Sequence, residues 1–254
     1  MTSSAWFSLP APTDAPRVRL ICLPHAGGGV AVFHPWKREL PAEIELVPVQ
    51  LPGRDARYRE ALRTDLAGVA EELADAVAAA PGAARLAIFG HSMGALLALE
   101  LARALGKRQL PPDLLIVSGR AAPRLQSGPG EYLHTLPDAD LVERLRLRYG
   151  GMPAALLAEP SLLAIYLPIL RADLHMVETY RAVPGPAQYW PLLAYGGADD
   201  HAVTHSALQQ WEQQTSGPFS MQVLPGDHFF YQNRRAEFLP RLVEDIRRWC
   251  PVRR

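Results

Sequence analysis

Six short apolar runs, spaced by helical patterns, constrain this chain most. They are Val18–Leu23, Leu46–Leu51, Leu86–Phe89, Leu114–Ser118, Tyr189–Tyr195 and Phe219–Leu224. Most are near-continuous rather than alternating, the pattern of strands covered on both faces. Turn residues follow several of them: Pro24, Pro52-Gly53, Gly90, Gly119, Gly196-Gly197 and Pro225-Gly226. Between the runs, Leu66, Val69, Ala70, Leu73, Ala76 and Val77 recur at helical spacing, with Thr64 or Asp65 as N-cap. Ala95–Leu105, Val203–Gln213 and Ala236–Trp249 also read as helices. This alternation predicts an α/β fold: a mostly parallel central sheet with helices on both faces.

One stretch breaks the rhythm. From about Arg124 to Arg181 no strand is legible. Asp138–Tyr149 reads as an amphipathic helix, and Ser161–Tyr180 is apolar almost all round, with Pro168 expected to kink or divide it. Helices inserted there predict a lid over the C-terminal edge of the sheet, where open α/β sheets bind ligands, with an ordinary helical addition packed against the body as the other reading. At 254 residues, with no linker or repeat, the chain reads as a single domain, 1–254, with the lid insertion at about 124–181.

Composition excludes several classes. Lys+Arg and Asp+Glu are both 26, so the formal net charge is zero, unlike the basic excess of a dedicated nucleic-acid binder. Two cysteines, Cys22 and Cys250, are too few for a disulfide framework or a cysteine-rich metal site. Met1–Pro12 lacks the pattern of a signal peptide, and no apolar run approaches a membrane span. The expectation is a cytoplasmic protein with no membrane and no nucleic acid among its partners.

The chemistry concentrates in three places. Gly90-His91-Ser92-Met93-Gly94 lies between a predicted strand and a predicted helix, the context in which Gly-x-Ser-x-Gly presents a serine on a sharp turn. A serine hydroxyl needs a base, and the base needs an orienting acid. In this fold they follow as acid, then histidine. His228, in Gly226-Asp227-His228, is the candidate base. Asp199 and Asp200 both follow the preceding strand; Asp200, at the end of its turn, is the choice for the acid. Pro24-His25-Ala26-Gly27-Gly28-Gly29 follows the first strand and resembles a loop that donates a backbone N–H to an oxyanion. The two donors would be the amides of Ala26 and Met93, each worth about 3–4 kcal/mol when aimed at developing charge. His25, Gly27, His91 and Phe229 are the candidate substrate-binding residues. The glycine run lacks the spacing of a phosphate loop, and His201 and His205 read as surface residues, so no metal and no cofactor are expected.

Together, Pro24-His25-Ala26-Gly27-Gly28, Gln50-Leu51-Pro52-Gly53-Arg54, Gly90-His91-Ser92-Met93-Gly94, Leu167-Pro168-x-Leu170-Arg171-Ala172-Asp173 and Gly226-Asp227-His228-Phe229-Phe230 resemble the type II thioesterases. These are α/β-hydrolases associated with polyketide synthases and nonribosomal peptide synthetases. The resemblance spans about Leu20 to Trp249. It implies hydrolysis of acyl groups from the phosphopantetheine thiol of an acyl or peptidyl carrier protein, clearing aberrant chains. It also implies Ser92 as nucleophile, His228 as base, Asp200 as orienting acid, and a helical lid over the acyl chamber. One departure is Asp200-His201-Ala202, where the pattern has Asp-Pro. The alternative is a carboxylester hydrolase acting on small oxyesters on the same fold; a non-catalytic carrier-binding protein is a third class. Carrier proteins are generally acidic, which makes Arg120, Arg124, Arg144, Arg146 and Arg148 a candidate docking patch, with a solvated helix face as the other reading. A monomer is expected.

Overall fold

The computed structural model describes residues 4–7, 16–80, 82, 84–123, 132–150, 152, 154–183 and 185–251. Six strands, β1 Val18–Leu23, β2 Ile44–Pro48, β3 Arg85–His91, β4 Leu114–Ser118, β5 Leu192–Gly197 and β6 Phe219–Leu224, form one sheet in the order β2-β1-β3-β4-β5-β6. All five pairings are parallel. The helices are α1 Trp36–Glu39, α2 Leu66–Ala78, α3 Met93–Lys107, α4 Asp138–Tyr149, α5 Ala154–Leu157, α6 Pro160–Thr179, α7 His205–Gln209, α8 Phe230–Asn233 and α9 Arg235–Trp249.

The continuous apolar runs resolve into two faces of period two. Ile21, Leu23, Ile88, Leu115, Val117, Leu192 and Ala194 pack with α2 and α3. Leu20, Cys22, Ala87, Phe89, Leu114, Ile116, Leu193 and Tyr195 pack on the opposite face with Trp36, Tyr231 and α9. β4 and β5 are buried along their whole length, so neither face favours charged residues there and the sequence loses the alternation of a half-exposed sheet, whereas the edge strand β6 is only half-buried and carries Ser220 and Gln222.

Some boundaries differ from those the sequence predicts. β2 starts and ends earlier, since Leu51-Pro52-Gly53 forms a turn in which Gly53 has φ +81°. β5 starts only after Pro191. The Val203–Gln213 helix is the short α7 followed by a 3-10 turn, Gln210–Gln214; Thr204 caps α7 by accepting the Ala207 N–H. Pro168 does not divide its helix: α6 runs unbroken for 20 residues. Leu167, Leu170 and Leu174 are buried against Leu133, Leu141 and Leu145 on either side of the proline. That packing outweighs the roughly 3 kcal/mol an interior proline costs.

Between β4 and β5 the described residues form no named strand: a 3-10 turn at Leu133–Thr135 is followed by α4, α5 and α6, and Gln188 makes an isolated parallel bridge to Thr215. The start of the predicted insertion, from Arg124, lies outside the described residues. α6 is tied to the sheet edge by a charge on its apolar side. Asp173, fully buried, receives two hydrogen bonds of 2.6 Å from the Arg54 guanidinium and one of 2.7 Å from the Gly27 N–H. Arg54 also donates to the Gly28 carbonyl at 3.0 Å. Buried charges persist only when paired and hydrogen-bonded, and this pair meets that condition. Asp173→Ala should therefore cost about 3–5 kcal/mol of stability, because it leaves Arg54 buried without its carboxylate. The double variant Arg54→Met/Asp173→Leu should lose much less. Urea denaturation midpoints measure both; equal losses in the two variants contradict this account.

Candidate active site

The loops at the C-terminal ends of the strands bring the predicted residues together. Ser92 sits between β3 and α3 with φ 55° and ψ −111°, a conformation that side chains other than glycine seldom adopt. Two backbone hydrogen bonds hold it: Ser92 N–H to the Ser118 carbonyl at 2.8 Å, and Ala95 N–H to the Ser92 carbonyl at 3.1 Å. The flanking glycines are required by space. A Cβ on Gly90 would stand 2.0 Å from the Gly94 carbonyl oxygen, and one on Gly94 would stand 2.2 Å from that of Leu23. Met93 opens α3, so its N–H has no carbonyl within the helix, and the helix N-terminus faces the serine.

His228 follows β6 in a turn braced by Asp227, whose carboxylate accepts the Phe229 N–H at 2.8 Å. The His228 Nδ1 is 2.8 Å from Asp200 Oδ2, and both residues are buried. The other Asp200 oxygen accepts the Ala202 N–H at 2.8 Å, which fixes the carboxylate. Asp199 is exposed, so geometry selects Asp200 as the partner of His228. The turn closes with His201 in place of the expected proline: Asp200 N–H donates to the Gly197 carbonyl at 3.3 Å, and His201 is exposed.

In the loop after β1, Gly27 N–H is taken by Asp173 and Gly28 N–H by the His25 carbonyl. Ala26, Met93, Ser92 and His228 line one cavity of about 400 Å³, with His25 and Phe229 at its wall. Leu145, Met152, Leu170 and Leu174 make much of the remaining wall apolar. Gly27 and His91 are not brought into this cavity. Gly27, at φ +77°, has the Tyr166 hydroxyl where its Cβ would be. His91 is fully buried beneath the elbow, 2.9 Å from the Ser118 hydroxyl and stacked on Tyr231 with ring centroids 4.2 Å apart.

The sequence reading missed Arg54, Asp173, Tyr149 and Tyr166. Tyr149 places its ring centroid 4.7 Å from that of His228, and Tyr166 lines the cavity. The available signal was Asp173 itself, a carboxylate on the apolar face of a helix, which calls for a buried cation. Among the described residues, no group of three or more His, Cys, Asp or Glu is placed to hold a metal ion.

Two histidines beside the site are held neutral. Burial, helped by the charges of His228 and Arg54, pushes His25 down to about 3. Burial, then the charges of His228 and His25, holds His91 well below the usual histidine range. Folded His91 thus stays neutral while the unfolded chain takes up a proton below about pH 6.5. Its contribution to stability is therefore lost as pH falls through that value. His91→Gln should reduce the acid-induced loss by up to about 1.4 kcal/mol per pH unit below 6. Urea midpoints from pH 7 to pH 4 test this; parallel curves for variant and wild type contradict it.

Comparison with known proteins agrees with the geometry. A family model described as thioesterase domain matches residues 18–250. The gramicidin S biosynthesis protein GrsT of Aneurinibacillus migulanus is 36% identical over 243 residues, covering 95% of this chain and 94% of that protein. Thioesterase PikA5 of Streptomyces venezuelae is 38% identical over 233 residues, 90% of this chain and 80% of its own length. The solved structure of BorB, a type II thioesterase from the borrelidin biosynthetic cluster, superposes with a TM-score of 0.87 at 35% identity, covering 97% of this chain and all of that one. The chain belongs to the thioesterase family, in its type II branch.

Proposed function

We propose that this thioesterase hydrolyses acyl groups from the phosphopantetheine thiol of acyl or peptidyl carrier proteins, clearing aberrant chains from a polyketide or nonribosomal peptide synthase. The observation that carries the reading is the buried Asp200–His228 hydrogen bond opening on the same cavity as Ser92, Ala26 and Met93.

In this reading Ser92 Oγ attacks the thioester carbonyl carbon while His228 takes the hydroxyl proton. Asp200, bonded to Nδ1, holds the imidazole in one tautomer and stabilises the imidazolium. The carbonyl oxygen becomes an oxyanion received by the Ala26 and Met93 amides. Collapse of the tetrahedral intermediate breaks the carbon–sulfur bond, and His228 returns its proton to the departing thiolate. A thiol with a pKa of about 8–9 leaves far more readily than an amine. Water then attacks the acyl-Ser92 ester with His228 as base, releasing the acid and restoring the serine. These steps use the chain's own residues, without a metal or redox cofactor.

The segment with α4 to α6 acts as the lid of this single domain, supplying the apolar wall for the acyl chain. Exposed Arg144, Arg146 and Arg148 on α4 suit an acidic carrier, and Arg124 lies outside the described residues. Arg120 faces the cavity instead. No helix among the described residues is long and apolar enough to cross a membrane. The reading includes a cytoplasmic location and a monomer. A carboxylester hydrolase would use the same residues; family membership favours the thioester.

Ser92→Ala should reduce turnover of an acyl-carrier protein at least 10³-fold, to the level left by binding and the oxyanion donors alone. The circular dichroism spectrum and carrier affinity should be retained. Intact-mass assays of the carrier read the loss; turnover near the wild-type rate rejects Ser92 as nucleophile. Wild-type preference for oxyesters over acyl carriers of equal chain length supports the esterase instead.

A further inference from the structure

The reaction centre lies where two cavities meet. Ser92, His228, Tyr149 and Arg120 line both the apolar cavity described above and a second one, of about 360 Å³, walled by Arg148, Glu178 and Arg181. Arg120 is held there firmly. Gly119 before it has φ +58°, with the His91 ring 2.3 Å from where a Cβ would be, so only glycine fits. Gly119 N–H donates to the Tyr195 carbonyl at 2.9 Å, and the Arg120 carbonyl accepts the indole N–H of the buried Trp211 at 2.7 Å.

The side chain is treated differently from the backbone. Among the described residues, no hydrogen bond or ion pair engages the Arg120 guanidinium. The acids that share its cavities are committed elsewhere. Glu178 accepts from His134 and from the Leu133 and His134 amides, and Asp227 from the Phe229 amide and Asn233. Asp200 lines neither cavity and is bonded to His228 and Ala202. An arginine keeps its proton inside proteins, and half-buried Arg120 therefore presents a cation to the cavities it lines. Burial lowers its pKa and Arg148 adds to this, while Tyr149 and Glu178 oppose it. A fixed backbone, unpaired donors and a place on the wall of both cavities that Ser92 lines describe a site for an acceptor carried by the substrate.

We propose that Arg120 reads the charge of the acyl group beside the thioester, favouring chains that carry a carboxylate or oxo oxygen there and disfavouring those that carry an ammonium group. This rests on the thioesterase reading and extends it to the cargo. In a low-dielectric cavity the α-ammonium of an aminoacyl thioester meets a like charge, whereas a β-carboxylate meets a bidentate partner.

The test uses one carrier protein loaded with malonyl, propionyl or alanyl groups, assayed at pH 6.5, where an α-amine of pKa about 7.7–8.0 is protonated. In Arg120→Met, the malonyl-to-propionyl ratio of kcat/KM should fall at least tenfold and the alanyl-to-propionyl ratio should rise at least tenfold. Arg120→Lys should restore both ratios in part. In the wild-type protein, N-acetylation of the alanyl carrier, which removes the ammonium, should raise kcat/KM at least tenfold despite the added bulk. Ratios that stay fixed while all three substrates slow together would mean a packing role and overturn the proposal, as would parity between alanyl and N-acetylalanyl carriers. Wild-type protein inactive on every carrier overturns the thioesterase reading and this one with it, whereas activity with unshifted ratios overturns this one alone.

Discussion

The buried Arg54–Asp173 pair joins three parts of the molecule that are far apart in the chain. Arg54 comes from the loop after β2, Asp173 from α6, and the Gly27 amide and Gly28 carbonyl from the loop after β1. The pair does two things at once. It seats α6 on the C-terminal edge of the sheet, and it commits the Gly27 amide, leaving the neighbouring Ala26 at the wall of the cavity. A buried ion pair is a poor source of net stability, since desolvation offsets most of the attraction. Its value here lies in geometry: planar guanidinium and carboxylate meet in one way, so the helix, the loop and the sheet edge have one registration.

The same logic governs the turn after β3. Ser92 is held at a positive φ that costs of order 1–3 kcal/mol and persists only because its surroundings over-determine it. Gly90 and Gly94 let β3, α3 and the end of β1 approach too closely for any Cβ, and the Ser118 carbonyl takes the serine amide. His228 and Asp200 sit after β6 and β5, so the components of the site come from several strand ends of one rigid sheet. Strain at one residue is thereby supported by the packing of two apolar faces.

The sheet was legible because burial on both faces leaves unbroken apolar runs, and because turns after parallel strands need glycine or proline. Ser92, His228 and Asp200 were legible because each follows a strand in a recognisable turn. Gly27 and His91 were read as substrate contacts from proximity in sequence, yet proximity does not say which way a backbone turns. The Gly27 amide points to Asp173 and His91 lies under the elbow. The local rule for an interior proline predicts a kink or a division at Pro168; only the long-range packing of Leu167, Leu170 and Leu174 reveals why α6 continues. Arg54 and Asp173 are 119 residues apart, and no local pattern joins them. The isolation of Arg120 is likewise a property of the assembled cavity.

The central claim is that acyl transfer passes through Ser92. Rapid quenching of the protein with an excess of acyl-carrier protein, followed by peptide mass spectrometry, addresses it directly. The account predicts that the peptide containing Ser92 gains the mass of the acyl group and loses it again once the carrier is exhausted. Hydrolysis that proceeds at full rate with no adduct on that peptide at any quench time would contradict it.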